Sequence, residues 1–296
     1  MIKLYPSSAA FVLGDTVVTE YDSGCLRKIL LTSKGVRGDI PAVYMRVGAV
    51  HEDNYAAGMA NMQDVATFLR EVPIKAPVPG YETVMYSGRA DFIADHRIAV
   101  TGKLGGKLIE VIHETKATIS KTTRLKVIRK GLVKTNQLAQ LVSYMIQRQT
   151  PYGILFVGYY EENAEGELVC TESRRFKIFI DDEGAVYIDG MPSGFTAQDQ
   201  IAHRIAAAKV LTEDAIGERP DGWNAPYSGP CVRCPHKMTC ILVDTGSIST
   251  VTDFVAAAKV DIEQAAKDKK PDPVPNKIKV KKPKAPRKPR KKKGTE

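Results

Sequence analysis

Cysteines near both ends of this 296-residue chain enclose a group of potential metal ligands. Cys25 stands alone near the start, and three more follow far downstream at Cys231, Cys234 and Cys240. Between them lie, in order, His51, Asp91 and the triplet Glu114-Thr115-Lys116. Cation-dependent cleavage of a phosphodiester needs closely placed oxygen ligands and a basic group near the attacking water. The order therefore predicts a hydrolytic metal site inside a clamp of four cysteines that joins the two ends of the domain.

The Glu-x-Lys spacing is informative if residues 107–118 form a strand. Successive strand side chains alternate between faces, so Glu114 and Lys116 would project together while Thr115 points the other way. The carboxylate would then bind a cation, and the ammonium would orient or deprotonate a water or stabilise charge on a phosphate. Taken alone, the same spacing is more typical of a solvated ion pair.

Asp91 and His51 indicate a metal site only when they are considered together with the Glu-x-Lys motif. Asp91 precedes the apolar residues 92–94, where a buried carboxylate requires a cation or several hydrogen bonds. In isolation it would be read as a turn aspartate, and His51 as an ordinary helical histidine. Together with Glu114 they form a nitrogen and oxygen ligand set that suits Mg²⁺ or Mn²⁺.

A predicted helix over residues 135–149 carries a further pair of polar groups. Gln140 and Tyr144 lie one turn apart, on a face shared with Gln137 and Gln147 and opposite an apolar stripe. Amide and phenol groups placed in this way would contact phosphates or the water of a neighbouring metal site. An ordinary polar helix face is the alternative.

The cysteine spacing favours an iron–sulfur cluster over zinc. Cys231 and Cys234 form a C-x-x-C pair that Cys240 follows, and Cys25 supplies the fourth thiolate. Zinc sites usually combine two short-spaced pairs, although three cysteines with His236 would also hold zinc. Buried free thiols are the structural alternative. The fifth cysteine, Cys170, fits neither arrangement and is predicted to be a small apolar residue.

The elements that must position these groups follow from hydrophobic periodicity, which predicts an α/β fold. Residues 44–71 predict a helix, and a turn over 102–106 separates two of the strands that follow. The predicted strands are 83–94, 97–101, 107–118, 153–160, 173–180 and 185–188, and the other predicted helices are 135–149, 197–211 and 251–267. The first six elements have the order α-β-β-β-α-β.

The basic charge of the chain is concentrated in a tail. The net charge is +9, whereas the stretch 277–296 contains eleven Lys or Arg residues and one acid, so the remainder carries −1. Residues 269–296 are rich in Pro and Lys and are predicted to be disordered. Such a tail holds polyanions nearby through counterion release, or it is a solvated extension.

Other sequence features indicate an intracellular chain. It has no apolar run of about 18 residues that would cross a membrane. Its start does not have the pattern of a secretory signal peptide. Five cysteines in such a chain favour metal or cluster ligation over a disulfide framework.

With these motifs in place, residues 20–245 resemble the RecB-like branch of the PD-(D/E)XK nucleases, specifically its iron–sulfur members. Those members include CRISPR-associated RecB-type exonucleases and the nuclease domain of AddB helicase-nucleases. The histidine, aspartate, Glu-x-Lys and Gln-x-x-x-Tyr motifs and the cysteines fall in the family's order. Leu26 departs from the proline that more often follows the first cysteine.

The resemblance implies a restriction-endonuclease-like αβββαβ core with a C-terminal helical and cysteine lobe. It implies that His51, Asp91 and Glu114, with the Thr115 carbonyl, ligate one or two Mg²⁺ or Mn²⁺ ions. Lys116 would activate the attacking water, and Gln140 and Tyr144 would contact substrate or stabilise the site. A structural 4Fe–4S cluster would be bound by the four cysteines, Cys25, Cys231, Cys234 and Cys240.

The sequence thus predicts a metal-dependent DNA exonuclease acting in recombination, repair or DNA processing. The expected organisation is a nuclease domain over 1–245, a helix over 246–268 and the tail over 269–296. No P-loop pattern is present, so a helicase motor would come from a partner. A recombination or single-strand-binding partner and an oligomer are compatible with the sequence. The alternatives are a non-catalytic iron–sulfur module that binds nucleic acid and a zinc-clamped interaction protein.

Overall fold

The predicted α/β class is confirmed by a computed structural model that describes residues 2–4, 25–36, 42–100, 103–217, 231 and 234–268. Its strands form one mixed sheet. They are β1 (Ile2–Leu4), β2 (Val65–Val78), β3 (Tyr81–Val100), β4 (Lys103–Thr118), β5 (Tyr152–Glu162), β6 (Leu168–Ile180), β7 (Ala185–Ile188) and β8 (Met191–Thr196).

The sheet is antiparallel except at two places. Its order is β1-β3-β4-β5-β6-β7-β8, and β2 pairs with β3. The β1–β3 and β4–β5 pairs are parallel. A parallel pair needs a crossover connection, and the segment between β4 and β5 supplies it with helices. This crossover carries both Gln140 and Tyr144.

The helices are α1 (Leu26–Ser33), α2 (Ala42–Ala60), α3 (Lys121–Thr123), α4 (Thr135–Arg148), α5 (Ala197–Thr212), α6 (Lys237–Asp244) and α7 (Val251–Asp268). A π-helix (Arg124–Arg129) continues from α3. Within the described part of the chain, no helix is both long and apolar enough to cross a membrane.

The predicted helix over 44–71 is wrong in its second half. The helix ends at Ala60, and β2 begins at Val65 after a short turn. Val65 and Phe68 fit the helical period, but β-branched and aromatic residues also fit a pleated surface. Pairing of β2 with β3 along most of its length decides in favour of the strand.

The hairpin after β2 also differs from expectation. The two strands predicted over 83–94 and 97–101 are one continuous strand, β3. The glycine-rich turn predicted over 102–106 is wrong for its last four residues, because β4 begins at Lys103 and pairs there with Val100. The order helix, three strands, helix, strand is nevertheless present as α2-β2-β3-β4-α4-β5, if the short helical segments before α4 are set aside.

Two helices cover opposite faces of the sheet. The apolar side of α4, with Leu141 and Met145, packs in the main core against Leu155 and Val157 of β5. Helix α2 packs Tyr55 against Phe156, the residue between those two. Alternate strand residues face opposite sides, so α2 and α4 lie on different faces of β5.

A second core joins the two ends of the described chain. Leu4 of β1 and Leu30 of α1 are buried with Ala207 of α5 and with Phe254 and Ala258 of α7. Elements distant in sequence therefore complete one apolar cluster. The tail predicted to be disordered, 269–296, lies outside the described residues.

Candidate active site

The candidate site lies where β3 and β4 separate. Their ladder ends at the pair Phe92 and His113, so Asp91 and Glu114 come directly after the last paired residues. Asp91 Oδ2 accepts hydrogen bonds from the Thr115 amide at 2.7 Å and from its hydroxyl at 3.0 Å. The aspartate thereby stabilises the backbone of β4 at the point where its partner strand leaves.

Glu114 and Lys116 form a pair on one side of β4, as strand alternation predicts. Glu114 is fully buried, and its Oε1 accepts a hydrogen bond from Lys116 Nζ. Burial raises the pKa of Glu114 to about 8, against the lowering effect of Lys116 and with a contribution from Asp91. Burial lowers the pKa of Lys116, but the Glu114 and Asp91 carboxylates outweigh it and leave that pKa raised.

His51 approaches from the α2 side of the sheet. Its ring stacks on Phe156 at 5.3 Å between centroids, and its Nδ1 lies 3.1 Å from the Tyr160 hydroxyl. Burial lowers the pKa of His51 to about 4, although the Phe156 backbone and Asp91 act to raise it. The imidazole is therefore neutral near pH 7, which is the form that ligates metals.

Gly158 leaves the space that the His51 ring occupies. A Cβ atom at Gly158 would lie 2.7 Å from His51 Cε1 and 2.8 Å from Nδ1. The ring thus fits against the backbone of β5 only because this residue has no side chain.

The predicted residues come together to different degrees. Asp91 interacts electrostatically with Glu114, Lys116, His51 and Tyr144. His51 is not among the groups that shift the pKa of Glu114. Asp91 and Lys116 each affect both His51 and Glu114, and so connect the two sides of the candidate site.

Gln140 and Tyr144 are placed differently from the predicted polar face. Tyr144 is 2% exposed and belongs to the main core. Gln140 Nε2 donates to its hydroxyl at 3.3 Å. Burial raises the pKa of Tyr144, and the nearby Glu114 carboxylate adds to the effect. The phenol is thus a neutral group near the carboxylates. It is buried in the main core and is not accessible to solvent.

The donor chemistry of the site fits a hard divalent cation. Glu114 Oε2 and His51 Nε2 are buried atoms without a hydrogen-bond partner, and both are common metal-ligating atoms. Across the described residues, no group of three or more His, Cys, Asp or Glu side chains is arranged to hold a metal ion. A cation would therefore require these side chains to turn toward one another.

Three cysteines of the predicted clamp, Cys25, Cys231 and Cys240, lie near one another, but the described residues contain no group of side chains arranged as metal ligands. Cys25, Cys231 and Cys240 are buried free thiols, and Cys234 is half-buried. Burial raises the pKa of Cys25 to about 11, with smaller contributions from Cys240 and Cys231. Cys170, on β6, is an exposed free thiol.

Arg27 connects the cysteine segments without any metal. Its Nε donates to the Gly217 carbonyl at 3.0 Å, and its Nη1 donates to the Cys240 carbonyl at 3.4 Å and to Asp244 at 2.9 Å. One buried guanidinium thus joins α1, two residues after Cys25, to the helix that contains Cys240.

No family model matches the chain, and no curated protein is similar to it. Among solved structures, the crystal structure of SSO0001 is similar over 80% of this chain and 88% of that chain, at 14% identity and a TM-score of 0.38. A similarity at this level identifies neither a family nor an activity.

Glu52 is a candidate site residue that sequence reasoning missed. Burial raises its pKa, the Asp91 carboxylate adds to the rise, and Lys116 opposes it. Its only signal in the sequence is its position next to His51. An acid beside a helical histidine is common, so the signal becomes informative only when the helix is placed against β4.

Proposed function

We propose that this protein is a divalent-cation-dependent nuclease that degrades DNA from an end. The observation that carries the proposal is the convergence of Asp91, Glu114 and Lys116 at the point where β3 and β4 separate. The resemblance to iron–sulfur RecB-like nucleases and the α2-β2-β3-β4-α4-β5 order support it. The finer fold assignment, a PD-(D/E)XK core, is part of the same proposal.

His51, Asp91 and Glu114, with the Thr115 carbonyl, are the groups that would hold Mg²⁺ or Mn²⁺. When bound, such an ion supplies positive charge at the phosphate and lowers the pKa of a water. Binding would favour the ionised form of Glu114, whose pKa is otherwise raised. It would also provide a partner for the buried oxygen that has none.

The protein's own groups supply orientation and proton handling. Lys116 holds a proton beside Glu114 and places an ammonium where charge develops on a phosphate. Asp91 holds the Thr115 backbone in place through two hydrogen bonds. Tyr144 accepts a hydrogen bond from Gln140 and lies buried near enough to Glu114 for that carboxylate to raise its pKa.

Cleavage of end-labelled single- and double-stranded DNA with Mg²⁺ or Mn²⁺ tests the proposal. Glu114→Gln and Lys116→Met are each expected to reduce the rate at least about 100-fold, because charge stabilisation at the reacting phosphate is lost. Glu110→Gln is the matched control. It changes the same strand four residues earlier, at a carboxylate that pairs with Arg148 on the surface.

Thermal unfolding must show that both variants fold. If folded Glu114→Gln cleaved DNA as fast as the wild type, the proposed site would be refuted. If the folded wild type cleaved no DNA with Mg²⁺ and none with Mn²⁺, the proposed activity would be refuted.

A second candidate is a non-catalytic module that binds nucleic acid. The closed Glu114–Lys116 ion pair and the incomplete set of ligands favour it, because such a pair is stable without a cation. DNA binding without cleavage, at an affinity independent of Mg²⁺, would identify this function.

We also propose that Cys25, Cys231, Cys234 and Cys240 hold a structural 4Fe–4S cluster. Cys25, Cys231 and Cys240 are buried thiols, and Cys240 and Cys231 lie near enough to Cys25 to raise its pKa, which fits a shared thiolate-bound group better than separate apolar residues. Iron and sulfide analysis after anaerobic purification tests this. Stoichiometric zinc in colourless protein would instead indicate a zinc clamp and an interaction protein.

A further inference from the structure

The connection between the two halves of the candidate site has an unusual charge distribution. From Thr115 to Tyr160 the sequence contains no Asp or Glu. Its basic residues are Lys116, Lys121, Arg124, Lys126, Arg129, Lys130, Lys134 and Arg148. Six of these eight lie between the end of β4 and the start of α4, on the segment that leads from Glu114 and Lys116 toward Gln140 and Tyr144.

Two arginines of the π-helix (Arg124–Arg129) anchor it to the sheet. Both Arg124 and Arg129 bond to Glu172 of β6. Arg124 also lies over the Tyr159 ring, with 4.7 Å from its Cζ to the ring centroid. Residues five apart share a face of a π-helix, so one carboxylate satisfies both.

A third arginine fixes the end of the π-helix. Arg174 donates to the Ile128 carbonyl at 3.3 Å. A Cβ atom at Gly131 would lie only 2.6 Å from Nη2 of Arg174, so a larger residue there would collide with the guanidinium. Gly131 also has a φ of +76°, which other residues rarely adopt. The segment is therefore held rigidly by arginines that are themselves occupied.

Three lysines of the same segment, Lys121, Lys126 and Lys130, differ from these arginines. Lys121 and Lys130 are exposed and Lys126 is half-buried. In the part of the chain that the structure describes, none of the three takes part in an ion pair. Leu125, between two of them, exposes 49% of its surface. Cations beside an exposed apolar side chain suit a sugar–phosphate backbone with its bases.

We propose that Lys121, Lys126 and Lys130 form a binding surface for the phosphates of the DNA strand that enters the candidate site. Lys126 lies in the π-helix, Lys121 begins α3 just before it, and Lys130 directly follows it. The arginines that anchor the π-helix to β6 therefore hold all three lysines on one short segment. The inference rests on the proposed nuclease function, since the surface leads to Glu114 and Lys116. It assigns the π-helix a role in positioning substrate and none in the chemical step.

The test measures binding of a fluorescent single-stranded oligonucleotide to the full chain in the Glu114→Gln background, at several salt concentrations. A triple variant, Lys121→Gln with Lys126→Gln and Lys130→Gln, is compared with a matched control. The control carries Lys75→Gln, Lys209→Gln and Lys259→Gln, three exposed lysines on β2, α5 and α7. Both variants lose the same charge, and both keep the basic tail.

The triple variant should bind on the order of 10–100-fold more weakly at about 0.15 M salt. Its plot of log K against log salt should be shallower by about 2, because roughly 0.7 of a counterion per phosphate contact is no longer released. The control should stay within about threefold of the parent. The corresponding Lys→Arg triple variant should retain binding, because the charges are kept.

The outcomes separate this inference from the proposed function. Equal binding by the triple variant and the control would overturn the surface, even if the wild type cleaves DNA. Selective loss of binding would support the surface, even if the wild type cleaves nothing. In an active enzyme, the triple change should raise KM and leave kcat within about threefold, and an unchanged KM would overturn the proposed path.

Discussion

Gly158 and His51 form a contact whose consequence can be measured at a single residue. Replacing Gly158 with Ala would place a Cβ 2.7 Å from His51 Cε1 and 3.1 Å from Tyr160. We expect a loss of about 1–3 kcal/mol in the free energy of unfolding, measured in urea, because a packed site is overfilled. Cleavage should fall as well, since the imidazole must move.

A double-mutant cycle identifies the cause of that loss. Gly158→Ala should cost much less in a His51→Ala background, where the ring is absent. Gly48→Ala and Gly58→Ala on α2 are controls, because a Cβ at either position meets nothing within 4 Å. They should be neutral or stabilise by up to about 1 kcal/mol through helix propensity. An equal cost of Gly158→Ala in both backgrounds would contradict the contact.

His113 predicts how stability depends on pH. Its Nδ1 lies 2.8 Å from the Tyr55 hydroxyl and its Nε2 lies 2.9 Å from Nε2 of His96, which also contacts Asp64. Burial lowers the pKa of His113 to about 3; His96 and Arg175 lower it further, and Asp64 opposes them. Between the folded value and the ordinary value of 6.5, the unfolded chain binds a proton that the folded chain does not.

Stability should therefore fall as the pH drops from 6.5 toward 3. The expected contribution of His113 is about 2 kcal/mol between pH 7 and pH 5. The free energy of unfolding of wild type and His113→Gln, measured across this range, should show a shallower slope for the variant. Parallel slopes would mean that His113 is not the group responsible.

At the scale of elements, Arg204 holds α5 against α4 and β3. Its guanidinium carbon lies 3.9 Å from the Tyr86 ring centroid, and Nη2 donates to the Ser143 carbonyl at 3.1 Å. Gln200 donates to the Ser143 hydroxyl at 2.7 Å, one residue from Tyr144. Two side chains of α5 thus fix the part of α4 that faces the candidate site.

Arg204→Ala should lower the free energy of unfolding by about 2–4 kcal/mol, through lost packing and the lost hydrogen bond to Ser143. Lys209→Ala, an exposed change on the same helix, should stay within about 0.5 kcal/mol. In a cycle with Tyr86→Leu, urea unfolding should give a coupling of about 1–2 kcal/mol from the cation–π contact. No coupling would contradict the contact.

The sequence could predict some elements and not others for physical reasons. The apolar residues of helix α4 and strand β5 fit only one periodicity along their length. The predicted ends of both elements lie within two residues of the observed ends. The stretch 65–71 fits two periods, and only pairing with β3 decides between them. The burial of Tyr144 could not be predicted either, because a helix does not reveal which neighbour covers its polar side.

The candidate site shows the same division. Strand alternation correctly placed Glu114 and Lys116 together, because two residues of one strand need no tertiary information. The contribution of Glu52 depends on how α2 docks against β4, which no local pattern contains. The functional roles of all these residues remain predictions.

At the scale of the whole molecule, the ends of the chain are joined by Arg27 and, we propose, by a cluster. Arg27→Ala removes one hydrogen bond each from the Asp244 carboxylate and from the carbonyls of Gly217 and Cys240. It should lower the free energy of unfolding by about 2–4 kcal/mol and expose the region near Cys240 to proteolysis.

The two links are separable by experiment. Cys25→Ser should reduce stability in iron-loaded protein much more than in iron-free protein. Arg27→Ala should cost a similar amount in both. Thermal unfolding of the wild type and both variants, each with and without iron, tests this, and an effect of Cys25→Ser that does not depend on iron would contradict the cluster.

The second core has a consequence for how the protein is made. Leu4 and Leu30 share that core with Ala207, Phe254 and Ala258, so segments made early in this chain meet partners that are made much later. Contacts of such sequence separation form slowly, and exposed apolar surface invites aggregation meanwhile. A nascent chain must keep α1 and β1 protected until α7 has left the ribosome. Translation that stops before α7 would leave an incomplete core, which cellular quality control can recognise.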